Sequence, residues 1–309
     1  MIKYYYKSAH SEKVQILPEY KTGAWVHAEA PSDAELDQLA EKFKLTKGHL
    51  QDALDADEMP RLEKEGEQSY IFVRFAYKDS DGELATMPLL FVFSENLLIT
   101  VSRLRLPVLD SFLNNKIEFT TTQCAKLVLL ILRQIVDRYD GFISSTSKQI
   151  KTIRSRLRGH EISNQDFVDF VVIEDELNEF LSALMPTNAT LRRLLLGRYM
   201  PLFAEDQDLV EDLLLNNEQS IEACNSNMQS IIHIRDAYTS ISSNNLNRTM
   251  KVLTAATVII ALPNVFYSMY GMNVHLPWQW EPWFYWVLNG CVVGLIATVI
   301  LFARRKRIF

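Results

Sequence analysis

The sequence predicts an α+β domain followed by long helices and two C-terminal membrane-spanning helices. Strand-like apolar runs are confined to residues 1–118, three- and four-residue apolar spacing runs from Thr121 to Met250, and two uncharged segments close the chain. Bulk composition hides this division, since 48% hydrophobic and 23% charged residues among 309 is near the soluble average. Charge exposes it. Residues 251–309 set Lys251, Arg304, Arg305, Lys306 and Arg307 against Glu281, a balance of +4, whereas residues 1–250 hold 27 bases and 37 acids, a balance of −10.

In the first region, residues 1–118, "SYIFVRFAY" (Ser69–Tyr77) alternates with the period of a strand, and "LLFVF" and "LLITV" are short apolar runs of strand length. The intervening "KDSDGE" (Lys78–Glu83) is rich in turn formers and predicts a hairpin. Ser32 with Glu35 forms the pattern of a capping box, opening a helix through Leu36, Leu39 and Phe43.

The second region, residues 119–250, reads as a stalk of long antiparallel helices. Leu127, Leu130, Ile131, Val136, Ile143, Ile150, Ile153 and Leu157 recur at helical steps, and Phe167–Leu184 and Leu209–Ile241 repeat the habit. Breaks are expected near Gly159 and at Pro186 and Pro201. The last helix then runs without Gly or Pro into the first span.

The third region, residues 251–309, comprises a first span at about 252–270, an outside loop at 271–282, a second span at about 283–302 and a basic tail at 303–309. The second span, "WFYWVLNGCVVGLIATVILF", is 20 uncharged residues, the length that a hydrocarbon layer of ~30 Å requires. The "ARRKR" that follows places its end in the cytoplasm, so both termini are expected inside a cell membrane. The first span carries Thr254, Thr257, Pro263, Asn264 and Ser268, too polar to face lipid on every side.

Several function classes are excluded. An acidic front lacks the clustered bases that release counterions from nucleic acid. Three scattered cysteines, Cys124, Cys224 and Cys291, suit a reducing compartment and form neither a disulfide framework nor a zinc motif. The opening "MIKYYYKSAH" lacks the apolar run of a signal peptide, so the first domain is expected to stay in the cytoplasm. Neither H-E-x-x-H, nor a nucleophile motif, nor a phosphate-binding loop is present, so neither an enzyme nor an organic cofactor is expected.

One pattern points to a function. Asp236, Ser240, Ser243, Asn247, Met250, Leu253, Thr257, Ala261 and Asn264 follow one another at steps of three or four, eight steps covering 28 residues. A period of 3.5 keeps a stripe on one face of helices packed around an axis. Most of its members are polar or small, the content either of a wet axial passage or of a close-packed helix seam. Two spans cannot enclose a pore, so a passage would require a homo-oligomer.

The same residues carry a resemblance. "NRTMKVLTAATVIIALPNVFYSMYGMN" (Asn247–Asn273), with "YGMNV" between two C-terminal spans and a basic tail, resembles the pore helix of the CorA-type divalent cation transporters, whose mark is the GMN triplet. The resemblance implies a funnel-shaped homopentamer in the lipid bilayer that imports hydrated Mg2+, and also Co2+ or Ni2+. By matched positions, Gly271, Met272 and Asn273 would form the selectivity filter. Asn264, Ala261 and Thr257 would line the pore, Leu253 and Met250 would gate it, and Asn247 and Asp236 would ring its inner mouth. Asp212 falls at a regulatory inter-subunit metal position, with Asp79 or Asp81 of the hairpin as its partner, so Mg2+ is expected as both cargo and regulator. The outside loop departs from the family's Met-Pro-Glu-Leu pattern. Only His275 and Glu281 can carry charge there, and Trp278, Trp280 and Trp283 suit interfacial anchoring.

The chemistry fits the proposed cargo. Mg2+ parts with its water reluctantly, and a ring of Asn273 amide oxygens would accept hydrogen bonds from that water without the deep well carboxylates make. Gly271 is expected to give the backbone freedom to turn. Two other readings stand beside this one: a transporter of zinc or another transition metal in the same superfamily, and a membrane-anchored structural coiled coil.

Overall fold

The computed structural model describes residues 1–11, 13–80, 82–114, 116–159, 164–278 and 280–305. The chain divides into two compact units, residues 1–232 and 233–309.

The N-terminal unit is built on a seven-stranded sheet. Its strands are β1 (Ile2–Tyr6), β2 (Gln15–Leu17), β3 (Trp25–Glu29), β4 (Arg61–Glu65), β5 (Gln68–Lys78), β6 (Leu84–Ser94) and β7 (Leu97–Ser102), in the order β2-β1-β3-β7-β6-β5-β4. All neighbours are antiparallel except β3 and β7, which pair in parallel with Val26 opposite Ile99. The expected hairpin is the β5–β6 pair, closed by Asp79, whose Oδ1 accepts the Glu83 amide at 3.0 Å.

Helices cover the sheet. The α1 helix (Asp33–Phe43) begins with the capping box expected of Ser32 and Glu35, each side chain accepting the other's backbone amide. With α2 (Lys47–Asp52) it buries Leu36, Leu39 and Leu50 against Tyr70, Phe72, Leu90 and Val92. The short α3 (Leu109–Leu113) places Phe112 edge-on to Trp25. Then come α4 (Cys124–Gly159) and α5 (Asn164–Leu195), which dock through side chains. The Tyr139 hydroxyl donates to the Arg74 carbonyl at 3.1 Å, and Glu176 Oε1 accepts the Leu84 amide at 3.0 Å.

With helices over it, β5 is buried almost throughout, so its polar alternates turn inward and find partners. Arg74 donates to the carbonyls of Ala56, Glu58 and Thr86 and pairs with Glu179 at 3.3 Å. Losing one partner would strand a buried charge. His27 meets the opposite fate. Its Nδ1 lies 2.8 Å from Thr100 Oγ1, while Nε2 has no hydrogen-bond partner among the described residues, with Glu29 Oε2 at 3.9 Å. Burial, reinforced by Lys3 and the amino terminus, lowers its pKa to about 4, so the ring is neutral.

The stalk helices succeed one another antiparallel. Arg156 on α4 pairs with Asp166 on α5 at 2.6 Å near their connection, while Tyr139 meets Phe180 farther along. The helix α6 (Ala204–Tyr270) turns back from α5 and runs beside α4 in the same direction, with Ser220 bonded to Asp140 and Asn227 Nδ2 donating to Ser147 at 2.9 Å. Pro186 does not break the chain as expected: it lies inside α5. Ala183, Leu184, Thr187, Leu191 and Leu194 are buried on either side of it, and leaving the helix there would expose that face at greater cost than one lost backbone bond. The expected ends near Gly159 and Pro201 do occur. Cys124 and Cys224 are buried free thiols, their pKa values pushed up by burial to about 11 and about 12.

In the C-terminal unit, α6 continues to Tyr270 and α7 covers Pro282–Arg305. Both are long and apolar enough to cross a membrane. They are tied by the Tyr267 hydroxyl, which donates to Asn289 Oδ1 at 2.8 Å, and by Tyr270, whose ring lies 4.9 Å from that of Phe284.

Candidate functional site

The stripe from Asp236 to Asn264 lies wholly on α6, which carries it without a break in the helix despite Pro263. Helical geometry therefore puts these residues along one face. Asp236, Asn247, Met250, Leu253, Thr257, Ala261 and Asn264 are all exposed in the single chain. For apolar members this is costly: Leu253 is 60% and Met250 54% exposed. Thr257 is less polar than its formula suggests, because its hydroxyl donates to the Leu253 carbonyl one turn below at 2.8 Å. Thr254 does the same to Met250. Such back-bonding leaves each hydroxyl with lone pairs but no spare proton, a surface that accepts hydrogen bonds.

At the end of α6 the triplet follows directly. The Gly271 amide donates to the Tyr267 carbonyl at 2.9 Å, and the Met272 amide reaches Met269 at 3.3 Å, so the chain is still unwinding from the helix here. Gly271 does not adopt a left-handed conformation. A Cβ there would stand 3.3 Å from the Tyr267 carbonyl oxygen that accepts the Gly271 amide, a tight contact within the last helical turn. Asn273 is exposed beyond the last helical turn. The left-handed turn falls later, at Trp278, whose φ of 58° reverses the chain ahead of α7 and stacks its ring 5.8 Å from that of Phe284.

The structure adds residues that sequence spacing missed. Tyr267 and Asn289 bond across the two helices within two turns of the triplet, and Asn289 Nδ2 also donates to the Tyr285 carbonyl at 2.7 Å. The signal was a lone amide in an otherwise apolar segment, which needs a partner wherever water is excluded.

The regulatory candidates lie in the N-terminal unit. Asp212 is exposed on α6. Asp79 is half-buried in the β5–β6 turn, where one carboxylate oxygen is engaged by the Glu83 amide. Asp81 lies outside the described residues.

A continuous helix bearing this stripe, a glycine-led triplet at its end and a second apolar helix returning beside it are a combination that can be compared with known proteins. The family model of CorA-like Mg2+ transporter proteins matches residues 20–306. The chain belongs to the CorA family. It is therefore a member of a transporter family and not of an enzyme family. It is 26% identical over 293 residues to the cobalt/magnesium transport protein CorA of Methanocaldococcus jannaschii, covering 91% of this chain and 90% of that one. It is 22% identical over 303 residues to the magnesium transport protein CorA of Wolinella succinogenes, with 91% and 90% covered. The complete structure of the Methanocaldococcus jannaschii CorA magnesium transporter superposes with a TM-score of 0.87 at 23% identity, covering 99% of this chain and 98% of that one. That likeness establishes the CorA fold: an α/β domain, long helices and two C-terminal helices.

Proposed function

We propose that this chain is a channel-type transporter that imports hydrated Mg2+, and also Co2+ or Ni2+, down the membrane potential. The observation that carries the reading is the unbroken α6 stripe leading to Asn273, in a member of the CorA family. In this reading residues 1–118 and 119–250 form the cytoplasmic domain and stalk, residues 251–309 form the membrane domain, and both termini are cytoplasmic.

Five copies would bring the α6 faces together around one axis, as a funnel-shaped homopentamer. This oligomer would answer the exposure of Leu253 and Met250, which would then narrow the passage and close it by dewetting. Above them Thr257, Ala261 and Asn264 would line a path of small side chains and hydrogen-bond acceptors suited to a water shell. Asn273 would form the outer ring, orienting the hydrated ion through neutral amides, with Gly271 allowing the close turn beneath it and Met272 packing aside. Asn247 and Asp236 would meet the ion at the inner mouth. Transport needs no nucleotide: a divalent ion moving inward across ~100 mV gains about 4.6 kcal/mol.

Cytoplasmic Mg2+ would close the channel by binding between subunits. The −10 charge of residues 1–250, roughly −50 in five copies, repels itself unless cations screen it. Asp212 would supply one ligand and Asp79 or Asp81 of the neighbouring hairpin the other.

Ion entry into vesicles holding the purified chain tests the whole reading. Mg2+ entry that responds to membrane potential and falls by about tenfold or more in Asn273→Ala is expected; no entry, or entry unchanged by that substitution, ends it. Competition by Co2+, Ni2+ and Zn2+ in the same assay ranks the ions. Asp212→Ala is expected to weaken inhibition by internal Mg2+, and an unchanged inhibition curve removes the regulatory part alone.

A further inference from the structure

A second constellation of metal-ligating side chains lies in the N-terminal unit. His49 on α2 points its Nε2 at two glutamates of β4, 3.2 Å from Glu65 Oε1 and 3.3 Å from Glu63 Oε2. One ligand atom from each of the three lies within 4.8 Å of the others. We propose that His49, Glu63 and Glu65 bind a transition-metal dication of the Zn2+, Co2+ or Ni2+ class. This site uses residues of the N-terminal unit only and does not depend on the transport reading.

Local structure explains why these atoms converge. Residues two apart on a strand share a face, so Glu63 and Glu65 project to the same side of β4. The His49 side chain is only 10% exposed, held against Tyr70 with ring centroids 4.4 Å apart. Each carboxylate is oriented by its outer oxygen: Arg61 Nε donates to Glu63 Oε1 at 2.6 Å, and the Thr46 hydroxyl donates to Glu65 Oε2. The inner oxygens are thereby turned toward the imidazole. On the far side of the ring, Asp52 Oδ2 stands 3.9 Å from Nδ1, beyond hydrogen-bond reach and engaged instead by Arg61 Nη2 at 2.6 Å.

Charge and spacing both call for a cation between the glutamates. Asp52, Glu58 and Glu63 all pair with the one guanidinium of Arg61, which leaves the cluster of four acids with Glu65 three negative charges in excess. A single N–H aimed from Nε2 serves one oxygen well, whereas here two are equidistant from it. The two edges from Nε2, 3.3 and 3.2 Å, are those of a tetrahedron drawn round an ion with bonds of ~2.0 Å, the length usual for Zn2+ with nitrogen or oxygen, and the third edge, between the two carboxylates, is within 4.8 Å. The imidazole selects against Mg2+, which prefers six oxygens, and in favour of first-row metals. Three protein ligands leave a fourth position for water.

The test uses the full-length chain in detergent, free of any polyhistidine tag, stripped with chelator and held in a large excess of Mg2+. Added Co2+ is expected to bind with the strong visible absorption of a four-coordinate ion, to be displaced by Zn2+, and to persist in Asn273→Ala, which separates it from any binding in the membrane unit. Glu63→Gln and Glu65→Gln are each expected to weaken Co2+ binding by about tenfold or more with the fold unchanged by circular dichroism, and His49→Gln to abolish it. Absence of any Co2+ absorption that survives Mg2+, or Co2+ affinity unchanged from the parent chain in both folded glutamine variants, overturns the proposal and leaves His49 as a hydrogen-bonded bridge between two glutamates.

Discussion

The two units of the chain bury their apolar residues by opposite means. In the N-terminal unit Trp25, Phe72, Phe75, Phe91 and Leu36 are sealed between sheet and helices of the same chain. In the C-terminal unit only Ile234 and Val292 are buried apolar residues among those described, while Ile260, Val265, Trp286 and Val293 each stand more than 60% exposed. A helix apolar all round and bare in its own chain must find its solvent elsewhere, in lipid or in other copies. The difference shows where each unit's stability resides: inside the first, outside the second.

Truncating one apolar residue from each unit gives the largest contrast. Phe72→Ala is expected to cost about 3–5 kcal/mol in chemical unfolding of the detergent-solubilised chain, because a sealed cavity remains. Ile260→Ala should cost under about 1 kcal/mol, its site being open. Equal losses would break the comparison.

Next in size is a pH effect that belongs to the N-terminal unit. The pKa of His27 is held at about 4 in the fold and returns to about 6.5 when unfolded, so the unfolded chain binds the extra proton as pH falls. Stability should therefore be complete above pH ~6.5 and decline toward pH ~4, by up to about 3 kcal/mol. His27→Gln should remove that part of the slope; an unchanged slope would show that carboxylates govern it.

In the C-terminal unit the largest effect should be on function and not on folding. Asn273→Ala should lower Mg2+ entry into vesicles by about tenfold or more, equivalent to about 1.4 kcal/mol, with unfolding unaltered. Returning to the N-terminal unit, Ser32→Ala should remove the α1 cap at a cost of about 1 kcal/mol in unfolding. Smallest is Tyr267→Phe, which deletes the hydrogen bond to Asn289 and should cost about 0.6 kcal/mol, the mean for polar contacts between membrane helices. A cost near that of Phe72→Ala would mean the C-terminal unit holds a core of its own.

Local signals in the sequence were read wherever the interaction itself is local. The Ser32–Glu35 cap, the Lys78–Glu83 turn, the helix end at Gly159, the break around Pro201 and the long α6 all depend on neighbours within a few residues. Pro186 stays inside α5 against its local signal because its cost is local and the burial that offsets it is not. The helix does end just before Gly271, but with no left-handed residue there; that conformation falls at Trp278. Of the proposed ion path, the α6 stripe was legible because one helix carries it; the Tyr267–Asn289 bond was not, because it joins two.

By itself the sequence determined the division into an acidic α/β front, a helical stalk and two apolar spans, and the 3.5-residue stripe that ends near Gly271-Met272-Asn273. These are matters of periodicity and composition, which a chain carries before it folds. Tertiary structure alone decided that Arg74 is buried with three carbonyls and Glu179, that His27 is left neutral, and that His49 meets Glu63 and Glu65. Those contacts join residues that only chain reversal brings together, and whether a polar group is paired or stranded depends on what the fold sets beside it.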